Sequence, residues 1–249
     1  MSCAASSLIY PEGYTLRRFS SLDSTNAEAL RSGTTAGSIY IADTQTDGRG
    51  RRGRNWYSAV GNLHMTICVA VPGHRLPGQL AFVAGLAIFD TLSSLAPCVP
   101  FSLKWPNDVL ASGKKISGSL VETGDGHRYA VGMGINLLIS PPEDVLRVQS
   151  TNLKAESEAE FTPDNVAVSL CINFDEWFRR WVADGFVPLR DVWLASAHLI
   201  GDTIGVSMGN GRIDGRFLGV DDEGALVVET AEGLCHFIAA GDVMLPELG

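Results

Sequence analysis

Short stretches of alternating apolar and polar positions, rich in β-branched residues, recur along the first half of the chain. This period-2 pattern is typical of strands that bury one face. The strands it predicts are Tyr14–Phe19, Ser38–Asp43, Asn62–Val71, Phe101–Trp105, Val109–Ala111, Lys115–Thr123 and His127–Asn136. The last two are joined by Gly124-Asp125-Gly126 and predict a hairpin. We expect a mixed, largely antiparallel sheet.

Four other stretches predict helices. Gly78–Ala96 is apolar nearly all round, which indicates a helix packed against the sheet rather than one at the surface. Pro163–Ala183 and Val187–His198 predict two further helices, the first with proline in its first turn. A short helix at Asn26–Arg31 follows residues that favour helix caps. The predicted fold class is therefore α/β, more narrowly α+β.

The texture of the sequence changes after Leu199. Short predicted strands separated by Gly and Asp follow one another at Thr203–Met208, Arg212–Val220, Ala225–Thr230, Leu234–Ala239 and Val243–Leu245. Such spacing is typical of a small SH3-like barrel. We expect two domains, 1–198 and 199–249. The second contains nine acidic residues against two arginines, a net charge of −7 that would repel nucleic acid.

Composition limits the class of protein. The chain has 249 residues, 45% of them hydrophobic, so it can bury a large core. A formal charge of −9 argues against a general nucleic-acid binder, whose affinity comes mostly from phosphate neutralisation. The five cysteines lie far apart and predict free thiols in a reducing compartment. We find no segment that predicts a membrane span or a signal peptide, and expect a cytoplasmic protein.

The segment Gly48–Arg54, GRGRRGR, is the basic exception and is called the arginine loop below. Its guanidinium groups match phosphate and carboxylate oxygens, and its three glycines would allow positive φ angles and close approach to a ligand. We expect an anion-binding loop that is mobile until an anion arrives. A dinucleotide fingerprint would open a helix, whereas a turn and a strand follow here, and a phosphate-binding Walker loop would need Lys and Ser or Thr after Gly53. A solvated basic tract for nucleic acid remains as the alternative.

Two further groups are candidates for a site. Ser24, Thr25 and Asn26 could serve only as helix caps, or could hold a neutral polar ligand. The chain has only four lysines, and Lys104, Lys114 and Lys115 lie within twelve residues of one another. A compact ammonium charge can follow a phosphate through a reaction, so a site role is open for Lys115, against exposed turn lysines as the alternative.

Five motifs in the same order and spacing resemble the biotin protein ligase family. They are Ser24-Thr25-Asn26, Gln45-Thr46-Asp47 with the arginine loop, Lys104-Trp105-Pro106-Asn107-Asp108, Lys115-Ile116-Ser117-Gly118 and Gly132-Met133-Gly134-Ile135-Asn136. The resemblance runs from about Tyr14 to Asn136 and continues into the C-terminal segment. It implies the class II synthetase-like catalytic fold shared by biotin and lipoate ligases, followed by the small barrel.

The resemblance implies a two-step reaction. Biotin and ATP would give biotinyl-5′-adenylate and pyrophosphate, and the biotinyl group would pass to one lysine of a biotin carboxyl carrier protein domain in a biotin-dependent carboxylase. Preorganised cations would be needed to bring a carboxylate against a phosphate. ATP and Mg²⁺ are the implied cofactors, with biotin as substrate and with a monomer or homodimer as the working unit.

The resemblance also implies a role for each matching residue. Lys115 and Arg51 are the implied catalytic residues, and Asn107 and Asp108 would help to bind Mg²⁺-ATP. The implied biotin site consists of Ser24, Thr25, Asn26, Gln45, Gly48, Arg49, Arg51, Lys115 and Gly118. The implied ATP and adenylate site consists of Arg49, Arg51, Arg54, Trp56, Lys104, Asn107, Asp108 and Asn136.

Two features of this chain depart from that pattern, and two alternative functions stay open. Asp47 is an acid where the family often has a small or neutral residue, and it would weaken the positive field of the arginine loop. Only about a dozen residues precede the first predicted strand, so we expect neither the winged-helix domain that many family members carry nor DNA binding. A lipoate or octanoate ligase of the same fold, or a non-enzymatic nucleic-acid adaptor that uses the arginine loop, are the alternative functions.

Overall fold

Two β-sheets carry the fold in the computed structural model, which describes residues 9–142, 149–209 and 211–244. The first sheet contains seven strands, β1 to β7 in chain order: Thr15–Leu22, Ser38–Gln45, Leu63–Ala70, Phe101–Lys104, Asp108–Ala111, Lys114–Thr123 and Arg128–Ile135. The second contains five, β8 to β12: Thr203–Met208, Gly211–Val220, Leu226–Glu229, Cys235–Ile238 and Asp242–Met244. The helices, α1 to α5, are Thr25–Arg31, Leu80–Leu95, Leu153–Glu156, Pro163–Asp184 and Val187–Ala195.

The strands of the first sheet lie in the order β1-β2-β3-β7-β6-β5-β4. Only β1 and β2 pair in parallel, and every other neighbouring pair is antiparallel. The expectation of a mixed, largely antiparallel sheet is confirmed. The crossover between the two parallel strands contains α1, because parallel neighbours cannot be joined by a tight hairpin.

Alternation along the central strands gives this sheet two unlike faces. Residues such as Ile67, Met133 and Ile135 belong to the main hydrophobic core, and α2 and α4 pack on that side. The intervening residues of the same strands point to the other side, where α1 lies over β2, β3 and β7. There Tyr40, Cys68 and Ala130 form a much smaller buried cluster with Ala29 of α1. Most of the hydrophobic stabilisation therefore comes from one face.

Helix α2 occupies the centre of the core face and corrects one expectation. With the short 3₁₀ turn before it, Pro77–Leu95 is long and apolar enough, by length and composition, to cross a membrane. The expectation that no such segment exists was wrong. In the fold, 61% of its most apolar window is buried, and the helix packs against α4 and β6. A buried core helix passes the same compositional test as a membrane span, so this helix is weak evidence for one.

The C-terminal strands form an antiparallel sheet in the order β11-β10-β9-β8-β12. The strands β11 and β12 lie at opposite edges of this order, yet only residues 239–241 separate them. Those residues can span about 14 Å, whereas five flat strands would place the two edges about 19 Å apart. The sheet must therefore curl towards closure. Gly241 confirms this, because a Cβ there would lie 2.9 Å from Val206 of β8 and 3.5 Å from Ile238 of β11.

The two sheets share one continuous hydrophobic core. Val206, Phe217 and Leu226 of the second sheet belong to the same buried cluster as Leu80 and Phe82 of α2. Trp105, next to β4, donates its indole N–H to the carbonyl of Gly224 at 3.1 Å. These contacts fix the turns of the second sheet beside the first.

Several element boundaries differ from the sequence expectations. Helix α3 was not predicted, and α5 ends at Ala195 because the next residues form a bridge between Ala197 and Leu103 of β4. The last predicted strand included Leu245, which lies outside the described residues. Among the described cysteines, Cys68 and Cys171 are buried and Cys98 and Cys235 are exposed, and all four are free thiols.

Candidate active site

The face of the first sheet that is not covered by α2 and α4 has a floor with few side chains. The strand pairing places His64, Gly134, Gly118 and Asp108 side by side across four strands. The next row on the same face is Thr66, Gly132 and Leu120. Three of the residues in these two rows are therefore glycines, at the centre of the sheet, and the backbone itself forms the floor.

Each of these glycines has another group lying against it. A Cβ on Gly134 would lie 2.4 Å from the Trp56 ring, and one on Gly132 would lie 2.5 Å from Asn26 Oδ1. A Cβ on Gly118 would lie 3.2 Å from both Lys115 Nζ and Asp108 Oδ1. The absence of side chains at these positions lets Trp56 and polar groups from α1, β5 and β6 lie directly on the backbone.

A buried polar cluster lies at the N-terminus of α1. Ser24 caps the helix, as its hydroxyl accepts a hydrogen bond from the backbone N–H of Ala27. Gln45, at the end of β2, accepts from the backbone N–H of Thr25 at 2.8 Å and donates to Ser58 Oγ at 2.8 Å. The expectation that Ser24 serves as a helix cap is thus confirmed. Thr25 and Gln45 form a polar network that a helix cap does not require.

Thr66 continues this network across the sheet. Its fully buried hydroxyl lies 2.8 Å from Thr25 Oγ1 and 2.7 Å from Asn26 Oδ1. Asn26 donates in turn to Glu122 Oε2 at 2.8 Å and to the Leu120 carbonyl at 3.1 Å. Thr66, Glu122 and Ser58 were missed from the sequence, because Thr and Glu inside predicted strands have no local signal. Only the pairing of β3, β7 and β6 brings Thr66 and Glu122 to α1, whereas Ser58 lies in the segment before β3.

An ion cluster lies at the other end of the floor. Asp108 Oδ1 lies 2.6 Å from Lys115 Nζ, and Asp108 Oδ2 lies 3.3 Å from Lys104 Nζ. Burial would raise the pKa of the Asp108 carboxyl, but the charges of Lys115 and Lys104 outweigh it and hold this pKa at about 2. The cluster of two lysines and one ionised aspartate therefore has a net charge of +1.

Lys115 is the more accessible of the two lysines. Its side chain is 22% exposed, against 8% for Lys104, and its Nζ lies 5.6 Å from the centroid of the Trp56 ring. The neighbouring Lys114 takes no part in any ion pair among the described residues. The backbone of Lys115 is fixed on both sides, since its N–H donates to the Gln149 carbonyl and its carbonyl accepts from the Thr151 N–H.

The arginine loop folds back on itself as a small hairpin. Arg49 bridges to Asn55, and the backbone N–H of Gly50 donates to the Arg54 carbonyl at 2.7 Å. Of the three glycines only Gly53 has a positive φ, of 70°, while Arg52 adopts the left-handed region at 56°. Gly48 is required for a different reason, because a Cβ there would lie 2.6 Å from Ser58 Oγ. The expectation of positive φ at all three glycines was wrong for two.

The arginines of this loop already hold carboxylates. Arg49 pairs with Glu122 at 3.1 Å. Arg52 and Arg54 pair with Asp242 of β12 at 3.2 and 2.8 Å, and Arg51 lies 3.8 Å from the same carboxylate. The premise that these guanidinium groups have no anion until a ligand arrives was wrong. Arg54, expected near phosphates, points to Asp242 and is 56% exposed. Asp47 is exposed, and no ion pair of Asp47 occurs among the described residues.

Asn107 and Asp108 do not fit the expected metal-binding role in this arrangement. Asn107 Oδ1 accepts from Arg51 at 3.2 Å, and its Nδ2 donates to the Ser119 carbonyl at 2.6 Å. Both oxygens of Asp108 hold lysines. Within the described ranges, no group of three His, Cys, Asp or Glu side chains could hold a metal ion. Mg²⁺ commonly binds through few protein oxygens and the phosphates of its nucleotide.

Trp56 and Asn136, the expected adenine-pocket residues, both lie near Lys115, since the Trp56 ring is 5.6 Å from its Nζ and the Asn136 backbone N–H donates to the neighbouring Ile116 carbonyl. Asn136 is 2% exposed and donates to the Thr151 carbonyl at 3.1 Å. Asn136 Oδ1 and Trp56 Nε1 are both buried without a hydrogen-bond partner in the described part of the chain. Buried polar atoms of this kind cost free energy unless a ligand or water satisfies them.

His64 is a further residue at the floor that the sequence did not indicate. It is 1% exposed, and its Nε2 lies 3.2 Å from the Ala59 carbonyl. Burial lowers its pKa to about 4, although this hydrogen bond opposes the shift. His64 is therefore neutral near pH 7, and its ring ties the floor to the segment that follows Trp56.

The arrangement has three chemically distinct parts around one glycine floor. Neutral hydrogen-bonding groups lie at α1, and a net positive lysine–aspartate cluster lies at β5 and β6. The arginine loop supplies the third part. This combination can bind a ligand with a neutral polar head at one end and an anion at the other. It can also bring two anionic groups together, because fixed cations offset their repulsion.

Comparison with known proteins gives a consistent result. Residues 17–137 match the model of the Biotin/lipoate A/B protein ligase family, and residues 199–245 match the Biotin protein ligase C terminal domain. The chain is 36% identical over 222 residues to a biotin--[acetyl-CoA-carboxylase] ligase of Paracoccus denitrificans, covering 85% of this chain and 92% of that protein. It is 32% identical to the bifunctional ligase/repressor BirA of Bacillus subtilis, covering 89% of this chain and 70% of that protein.

A solved structure is similar over nearly the whole fold. The biotin protein ligase from Aquifex aeolicus, in complex with biotin and ATP, superposes with a TM-score of 0.82 at 29% sequence identity. The match covers 92% of this chain and 97% of that one. Both sheets are thus part of the similarity.

Proposed function

The chain belongs to the biotin protein ligase family and is an enzyme of that family, and we propose that it activates biotin with ATP as biotinyl-5′-adenylate. The biotinyl group then passes to one lysine of a biotin carboxyl carrier protein domain of a biotin-dependent carboxylase. Within this proposal, residues 1–198 form the ligase domain and 199–249 the C-terminal domain.

The observation that carries the proposal is the Lys115–Asp108–Lys104 cluster on the glycine floor, between a neutral polar pocket and the arginine loop. A biotin ring system offers neutral ureido donors and acceptors, which suit the hydroxyl and amide groups of Thr25, Asn26 and Gln45. The biotin carboxylate would lie towards Lys115. Gly118 leaves room for the tail, because any side chain there would touch the lysine.

Adenylation needs a carboxylate to attack an α-phosphate, and both groups are anionic. Lys115 is held in place by Asp108, so its charge needs no reorganisation when the reacting groups arrive. Arg51 donates a hydrogen bond to Asn107, the residue before Asp108, and would neutralise phosphate oxygens. These residues position the two reactants and lower their mutual repulsion, which is the main task of a site for phosphoryl chemistry.

The adenine would occupy the end of the floor near Trp56 and Asn136. Asn136 Oδ1, buried without a partner in the described residues, is an acceptor that suits an exocyclic amino group. The Trp56 indole would supply a stacking surface. Mg²⁺, a cofactor of the proposal, would arrive with the phosphates of ATP, since Asn107 and Asp108 are engaged elsewhere.

In the second step a lysine amine of the carrier attacks the mixed anhydride and AMP leaves. The arginine loop and Trp56 cover the floor and would exclude water from this intermediate. The proposal places the enzyme in the cytoplasm, without DNA binding, as a monomer or homodimer.

Pyrophosphate release from ATP tests the proposal directly. Biotin, lipoate and octanoate are supplied side by side with ATP and Mg²⁺, and we expect release with biotin alone. A carrier domain with its target lysine replaced by arginine should then fail to accept biotin, although pyrophosphate is still formed. Release with lipoate or octanoate in place of biotin would favour the alternative ligase, and release with none would contradict ligase activity.

The nucleic-acid adaptor is disfavoured by the environment of the arginine loop. Its four arginines are engaged by Glu122 and Asp242, and the C-terminal segment that supplies Asp242 has a net charge of −7. A binding surface for nucleic acid would present its arginines away from carboxylates.

A further inference from the structure

We propose that Asp242 is a resident anion that holds the arginine loop beside the active site and is replaced by the phosphates of the nucleotide. It acts as a positioning residue and not as a catalytic one. This inference rests on the proposed function for the identity of the replacing ligand. The tether itself is independent of that function.

Three arginines converge on this one carboxylate. Arg54 Nη2 lies 2.8 Å from Asp242 Oδ1, Arg52 Nη1 lies 3.2 Å from Oδ2, and Arg51 Nη1 lies 3.8 Å from Oδ1. Arg51 also approaches the Gly241 carbonyl at 3.4 Å. Within the described ranges, these contacts of the arginine loop fall on Gly241 and Asp242, and Asp242 supplies the carboxylate.

The charges at this contact do not balance. Among the residues that the structure describes, the ion pairs here set three guanidinium groups against one carboxylate, an excess of two positive charges. The partial burial of Arg51 increases the cost of its uncompensated charge, and this desolvation lowers its pKa. A carboxylate can thus gather the loop, but a polyphosphate would neutralise it more completely.

Asp242 is fixed by strand pairing, whereas Arg51, at the middle of the arginine loop, contacts its own sheet side only through a side-chain hydrogen bond to Asn107 among the described residues. Asp242 begins β12 and pairs with Ser207 of β8, so the carboxylate is set by the curled sheet. The arginine loop carries no buried residue in its central turn. A cleft of about 280 Å³, lined by Arg51, Asn107 and Glu223 together with mostly apolar residues, leaves space next to Arg51.

A resident anion has two opposite effects on the nucleotide. It keeps the arginines close to the site, so fewer conformations must be lost when the nucleotide binds. It also occupies the guanidinium groups that the phosphates need and repels them by its own charge. We infer that the second effect dominates affinity and the first dominates the order of the loop.

Limited trypsin digestion tests the tether, because trypsin cuts after the arginines of the loop. In the protein without ligands, Asp242→Asn should be cut between residues 49 and 54 at least about fivefold faster than the parent. Asp242→Glu, which keeps the charge, should be cut at nearly the parent rate. Asp214→Asn is the matched control, since Asp214 lies on the same sheet and pairs with Arg212 rather than with an arginine of the loop.

Binding of inorganic pyrophosphate, measured by titration calorimetry without biotin, tests the competition. Asp242→Asn should bind pyrophosphate about three- to tenfold more tightly than the parent, and the KM for ATP should fall in the same direction. A residue with a merely structural role would weaken binding or leave it unchanged when replaced. Asp242→Ser gives a second charge-free variant in case the asparagine variant does not fold.

The results that would overturn the role of Asp242 differ from those that would overturn the proposed ligase reaction. Equal cutting of parent and charge-free variants, or pyrophosphate binding that is unchanged or weaker, would overturn the role of Asp242. So would an Asp242→Glu protein that behaves like Asp242→Asn. Neither the digestion nor the pyrophosphate titration contains biotin, so their failure leaves the proposed ligase reaction standing. Failure of biotin-dependent pyrophosphate release would remove that reaction without touching the tether.

Discussion

The two faces of the seven-stranded sheet are built from the same strands and yet serve opposite purposes. On one face Ile67, Met133 and Ile135 pack under α2 in a continuous hydrocarbon core. On the other, the alternate positions of β3 and β7 are His64, Thr66, Gly132 and Gly134. Only one hydrophobic face is needed for stability, so the second face is available for polar groups and empty floor.

Substitutions on the two faces should therefore have different effects on stability and on activity. A change on the core face should remove stability while the chemistry of the folded molecules persists. A change on the glycine floor should remove activity while the fold persists. Four measurements test this contrast between the two faces.

Met133→Ala should cause the largest loss of stability. The side chain is 2% exposed in the core, so truncation removes transfer free energy and leaves a cavity. We expect the free energy of unfolding to fall by about 2–5 kcal/mol. Urea denaturation measures this, with pyrophosphate release assayed well below the transition. A variant that unfolds like the parent but has lost activity would break the contrast between the faces.

Lys115→Ala should reduce the rate of adenylate formation about a hundredfold or more, because it removes a charge held where the phosphate reacts. The thermal midpoint should change much less, since Lys104 still neutralises Asp108. Single-turnover pyrophosphate release gives the rate. Lys114→Ala, one residue earlier and outside the ion cluster, is the matched control and should behave like the parent.

Lowering the pH should destabilise the protein through His64. Its folded pKa of about 4 lies below its unfolded value, so between about pH 6.5 and 4 only the unfolded state takes up the proton. Stability should decrease as pH falls through this window, by about 3 kcal/mol from this one group. The unfolding free energy as a function of pH measures it. A His64→Gln protein with the same slope as the parent would show that other groups are responsible.

Paired glycine substitutions should give the smallest and most selective effect. Gly134→Ala puts a methyl group 2.4 Å from the Trp56 ring and should raise the KM for ATP about tenfold or more. The same overlap should lower the free energy of unfolding by about 1–3 kcal/mol. Gly85→Ala in α2 meets Leu103 at an ordinary 3.5 Å on the core face. It should stabilise the helix by about 0.5–1 kcal/mol and leave activity unchanged. Thermal melts and steady-state kinetics of both variants decide the matter.

Much of the fold could be predicted from the chain because its signals are local. Period-2 alternation gave the seven strands of the first sheet, and the apolar run at Leu80–Leu95 gave the buried helix. The arginine loop, Lys115 and Asp108 stood out as charged residues in short motifs. Their assigned roles in biotin and ATP binding stay predictions, which the measurements above are designed to test.

Other parts of the site had no local signal. Thr66 and Glu122 lie inside ordinary strands, and they meet Asn26 only because β3, β7 and β6 pair in one register. His64 is an active-site candidate for the same reason. The sequence showed these residue types but contained nothing that placed them opposite α1.

The sequence by itself determined which segments form strands and helices and which residues carry charge, because periodicity and side-chain chemistry act over a few neighbouring positions. Only the tertiary structure decided what each charge contacts. Asp242 lies 188 residues after Arg54 in the chain, yet their side chains pair at 2.8 Å. Electrostatic partners are set by distance in space, which depends on how two sheets pack across one shared core.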